Sequence, residues 1–141
     1  MKIIFVSARI DFFEKTIASI KKFFGEDNPH QIISATGVDA ITLIPATGRC
    51  IVILSPVICK PGEGGTDVTI AFIADLREKN PLAQIVLYSD DFFDLLMRLK
   101  STEQSSFEWI NYVTTSNPHD VLFRKITNLL EGEEISAHHS G

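Results

Sequence analysis

Cysteine is scarce: Cys50 and Cys59 are the only two in 141 residues. Two thiols make neither a disulfide framework nor a four-ligand zinc site. A Cys50–Cys59 bridge fits the spacing but not a reducing cytosol. Long apolar runs are also lacking. None approaches the roughly 20 residues that span a bilayer, and the opening Met1–Val6 run is too short for a signal peptide. Basic charge is in deficit, since 13 Lys and Arg face 18 Asp and Glu for a net charge of −5. A chain of that balance does not offer the basic surface that phosphate neutralisation needs, which argues against nucleic acid as a partner. Apolar residues are plentiful at 45%, enough for a sizeable core in one domain. These features read as a soluble, cytoplasmic, single-domain protein without a membrane partner.

Short β-branched runs alternate with longer amphipathic ones. Lys2–Ser7, His30–Ala35, Cys50–Leu54, Ile85–Tyr88 and Trp109–Thr114 read as strands, the first and third apolar on both faces as in a parallel sheet. Ile10, Phe13, Ile17, Ile20 and Phe24 recur at helical spacing, with Asp11 and Glu14 placed as a capping box and Gly25 past the end. A short helix is expected over Val38–Ile44. Another runs from Thr66 or Asp67 to Lys79 with Ile70, Ile73 and Leu76 inward, and Asn80-Pro81 stops it. Asp90 and Asp91 open a fourth, bearing Phe92, Leu95, Leu96 and Leu99. Asn117 and Pro118 open a fifth, bearing Leu122, Ile126, Leu129 and Leu130. Residues 131–141 are polar and aperiodic, and are expected to form a flexible tail or linker after a domain spanning 1–130.

Five strands alternating with five helices give an α/β, doubly wound parallel sheet, with 2-1-3-4-5 as the leading strand order. Ligands of such sheets sit at the carboxyl ends of the strands, where the order reverses. Here that crevice is lined by Ser7, Ala8 and Arg9 after the first strand, Ser55 after the third, Ser89 after the fourth, and Thr114 and Thr115 after the fifth. Hydroxyls supply neither the charge nor the coordination a hard cation such as Mg²⁺ requires. No metal and no cofactor are expected there.

The segment Ala35–Ile41 (ATGVDAI), the strand Ile51–Ser55 (IVILS) and the passage Leu76–Pro81 (LREKNP) into Ile85–Ser89 (IVLYS) resemble a two-component response-regulator receiver domain. The resemblance covers about Met1 to Leu130 in order and spacing, and implies the receiver, or flavodoxin-like, fold. It places the acidic pair that holds Mg²⁺ on Ser7 and Ala8, the phospho-acceptor Asp on Ser55, the switch hydroxyl on Ser89 and the Lys on Thr115. Acids, acceptor and Lys are replaced, so the resemblance is to a degenerate pseudo-receiver, without aspartyl phosphotransfer and not an enzyme. In that family the face made by the fourth helix, fifth strand and fifth helix mediates dimerisation and partner docking. On this chain its aromatics are Phe92, Phe93, Tyr112 and Phe123.

The expected function is therefore a phosphorylation-independent signalling module in a two-component system. It would bind a protein partner or a second copy through that face, or regulate an output domain. An alternative uses the loop Ser55–Asp67 to bind a small ligand or nucleotide. There Lys60, Gly62, Gly64, Gly65 and Thr66 would cradle an anion at a helix N-terminus. Glu63 and Asp67 oppose an anion, and no Gly-Lys-Ser/Thr closes the loop as in a phosphate-binding P-loop. An inserted crossover loop is the preferred reading of this segment. Arg9 pairs on the surface with Asp11 or Asp91, Cys59 is a passive loop thiol, and His119, His138 and His139 lack ligand spacing.

Overall fold

A computed structural model describes residues 2–26, 30–55, 58, 65–89, 110–113 and 121–130. Within them the chain forms an all-parallel sheet in the order β2-β1-β3-β4-β5. The strands are β1 (Lys2–Ser7), β2 (Gln31–Thr36), β3 (Cys50–Leu54), β4 (Ala83–Tyr88) and β5 (Ile110–Val113). The helices are α1 (Glu14–Phe24), α2 (Gly65–Lys79) and α3 (121–130). The parallel α/β sheet expected from the sequence is present, and the arrangement is compatible with a flavodoxin-like fold. Among the described residues, three α-helices and two 3₁₀ segments accompany the sheet. The fourth helix, about Asp91–Leu99, lies outside the described residues, and the helix expected over Val38–Ile44 is a 3₁₀ segment, Val38–Leu43.

That tighter geometry has a local cause. Only seven residues separate Gly37 from Pro45, and the α region is disfavoured for a residue before proline. Ile44 accordingly has extended angles, φ −77° and ψ 124°. What remains closes with tighter bonds, Ala40 N–H to Gly37 O and Ile44 N–H to Ile41 O, both 3.2 Å. Gly37 starts the turn at φ 72° and ψ −176°, a region open essentially to glycine alone.

The helix after β1 also departs from expectation. Ile10–Phe13 is 3₁₀, and α1 begins at Glu14 with no side-chain cap. The capping box fails because the Asp11 carboxylate instead accepts from the Arg9 guanidinium at 3.2 Å. Gly25 ends α1 as expected, at φ 82° with its N–H on Lys21 O at 3.0 Å.

Period-2 alternation along the strands divides the core. Ile4, Val6, Val52, Leu54, Ile85 and Leu87 face α2 and the 3₁₀ segment, with Phe72, Ile73 and Leu76 beneath them. Ile3, Phe5, Ile51, Ile53, Val86 and Tyr88 face the other way, onto Phe13 and Ile20 of α1 and Leu122, Phe123 and Ile126 of α3. The sheet is thus covered on both faces, and every residue of β3 is buried.

Candidate functional site

The carboxyl ends of β1, β3 and β4 place Ser7, Ser55 and Ser89 together, as the topology rule requires. Val6 pairs with Leu54, so Ser7 and Ser55 occupy the next step of the same register. Ser7 also pairs with Thr36 at the end of β2. Three hydroxyl residues thus stand in a row across adjacent strand ends: Thr36, Ser7 and Ser55. Strand alternation puts all three on the α1–α3 side of the sheet. Thr36 was missed in sequence because the second strand was read as ending at Ala35. A further β-competent residue, Thr36 itself, directly before Gly37 was the available signal.

Backbone bonds hold this edge rigid. Ser55 N–H donates to Val6 O at 3.0 Å and Ser89 N–H to Val113 O at 3.2 Å, extending the ladders one residue past the strands. Ser7 and Ser55 are buried and Ser89 is half-buried. Arg9 N–H approaches Ser7 Oγ at 3.4 Å, a long bond. Across the loop tips, Gly37 N–H donates to Ile58 O at 2.7 Å, tying the turn after β2 to the segment after β3.

The chemistry of these groups is limited. Alcohols at neutral pH are uncharged and offer no basic site to take a proton from a nucleophile. Arg9 and Asp11 form an exposed ion pair in place of a cation-binding pair. Among the described residues, no three His, Cys, Asp or Glu side chains are grouped to hold a metal ion. An open depression of about 320 Å³, lined by Asp11, Glu14, Ile17 and Ser34, lies on the α1–β2 flank.

Other candidates are distributed as follows. Thr115, Lys60, Gly62, Gly64, Phe92 and Phe93 lie outside the described residues, as do Cys59, Asp90, Asp91 and His119. Gly65 and Thr66 are the first two residues of α2, so the helix begins one or two residues before the expected cap, Thr66 or Asp67. Tyr112 is in β5, paired with Leu87. Phe123 is corrected as a surface anchor: it is 5% exposed and packs in the α1–α3 core. Of the adjacent Phe23 and Phe24 on α1, Phe23 is exposed and Phe24 is partly buried against the core. Cys50 is a buried thiol.

No helix among the described residues is long and apolar enough to cross a membrane. No protein-family model and no curated protein matches the chain. Among solved structures, the chain is similar to a fusion containing a trimeric coiled coil of yeast Spc42, amino acids 181–211. The match spans 97% of this chain and 81% of that one, with a TM-score of 0.62 and 21% identity. At that identity the likeness bears on the fold alone.

Proposed function

We propose that this chain is a receiver-like signalling module that works without phosphorylation, in the cytoplasm, by recognising a protein partner or a second copy of itself. The finer fold assignment, a receiver-type doubly wound sheet with a helix in every crossover, belongs to the same proposal. One observation carries it. The strand-end crevice presents Thr36, Ser7 and Ser55 in a row, with Ser89 one strand further. Phosphoryl transfer to a carboxylate needs a metal held by acids and a cation on the phosphoryl oxygens. Alcohols do neither, while rigid ladder bonds around them preserve the scaffold. Recognition is then assigned to the surface formed by Asp91–Leu99, Trp109–Val113 and Pro118–Leu130.

Two measurements test this reading. Incubation with acetyl phosphate and Mg²⁺ followed by intact mass should give no adduct; a hydroxylamine-labile gain of about 80 daltons, one phosphoryl group, overturns it. Phe93→Asp should abolish self-association or partner capture while circular dichroism stays native. Binding retained after Phe92→Asp and Phe93→Asp together rejects that surface.

A further inference from the structure

The helices α1 and α3 cover the same face of the sheet, and their outer surface differs in charge from the rest of the chain. Lys15, Lys21 and Lys22 of α1 are exposed; on α3, Arg124 is exposed and Lys125 half-buried. On these two helices the one carboxylate is Glu14, in a chain whose net charge is −5. Seven positions are close to two helical turns, so Lys15 and Lys22 lie along one line, with Phe23 beside Lys22. Phe23 is 53% exposed. Its ring is nonetheless held, with centroids 5.4 Å from Phe123 and 5.4 Å from Phe24. A large apolar ring already braced by two others loses little freedom when something packs on it, which is what favours an aromatic anchor.

We infer that this α1–α3 face docks an acidic protein segment bearing an apolar side chain. Its carboxylates meet Lys15, Lys22 and Arg124, and its apolar side chain packs on Phe23. The inference does not depend on the signalling reading; it shares α3 with the surface proposed above but is centred on α1. Charge complementarity selects the occupant. A second copy offering the same face would set lysine against lysine. A nucleic acid or an anionic bilayer extends well past the patch and would meet the acidic remainder of the molecule. A bilayer also needs more inserted apolar surface than one exposed ring supplies. A short acidic segment matches the patch in both size and sign.

The test uses the full chain and a fluorescein-labelled decapeptide of alternating glutamate and leucine, read by anisotropy at about 150 mM salt, where charges beyond roughly 8 Å are screened. Saturable binding is expected. Phe23→Ser and the pair Lys15→Glu, Lys22→Glu should each weaken it by about tenfold or more, the loss typical of a contributing interface residue. A glutamate-only decapeptide should bind more weakly than the alternating one. Circular dichroism confirms that each variant is folded, and Lys15→Gln with Lys22→Gln provides a milder second pair. Absence of peptide binding, binding unchanged in the folded variants, or preference for phosphatidylserine vesicles or single-stranded DNA over the peptide overturns the inference.

Discussion

Asn80 shows how much one side chain can organise. In sequence it reads as half of an Asn-Pro helix stop. In the fold it is buried, and its Nδ2 donates to Pro45 O at 2.8 Å and Gly48 O at 2.9 Å. Its Oδ1 accepts from Leu82 N–H at 3.0 Å, and its backbone N–H closes α2 onto Leu76 O at 2.8 Å. One amide therefore joins the end of α2, the start of β4 and the loop before β3. Asn80→Ala strands two carbonyls and an N–H, and should cost about 2–3 kcal/mol in urea unfolding. Asn80→Asp should cost more, because a carboxylate then faces two carbonyl oxygens. His30 is the other informative residue. Burial, with a further contribution from the positive amino terminus, holds its pKa below the usual 6.5, and its ring lies edge-on to Phe24 at 5.5 Å. Between the two pKa values the unfolded chain binds more protons than the folded one, so stability rises with pH. This contribution is complete above about pH 6.5 and is lost as pH falls through the lowered folded value. Urea midpoints at about pH 7.5 and about pH 5 should differ in the native chain, and the difference should shrink in His30→Phe.

Among the elements, agreement with the sequence follows the strength of the local signal. α1 was legible because its apolar positions repeat at helical spacing and Gly25 marks its end. β3 was legible because five consecutive apolar residues suit a strand buried on both faces. The start of α1 was not legible. A capping box and a local Arg9–Asp11 ion pair use the same carboxylate, and the sequence does not rank them. The Val38–Leu43 segment was legible as a short helix but not as a 3₁₀ one. Its residue pattern permits a helix, but Pro45 and the backbone angles of Gly37 leave too few residues for α geometry. Gly37 sits 4.0 Å from Ile58 O when given a Cβ, so the obstacle to substitution is torsional and not steric. Gly37→Ala should cost about 1–3 kcal/mol from backbone strain, measurable as a lowered urea midpoint with an unchanged slope.

For the molecule as a whole, the sheet joins two cores into one cooperative unit. Ile53 and Leu54 are neighbours in β3 with fully buried side chains on opposite faces. Ile53→Ala and Leu54→Ala should each cost about 2–5 kcal/mol, the usual range for a large-to-small change in a core. Far- and near-ultraviolet circular dichroism should give coincident unfolding transitions in both variants, since neither face can melt while the shared strand persists. Two separate transitions would show that the faces are independent. The candidate site was legible at this scale because an alternating α/β order assigns it to the strand ends whatever residues stand there. Its hydroxyl row was only partly legible. Ser7 and Ser55 follow recognisable strands, while Thr36 enters the row through the parallel register of β2 against β1.

The sequence by itself determined the class of sheet and which residues could be chemically active. Apolar periodicity and the order of the segments are local properties, and they leave a parallel sheet with covered faces as the arrangement that buries them. Tertiary structure decided what the sequence left open: Asn80 bonds to the loop before β3, and Phe123 turns into the core between the sheet and α1. Both outcomes depend on groups brought together from distant parts of the chain, 32 and 35 residues apart for Asn80. Their energies differ by amounts that become fixed only once packing has set the distances.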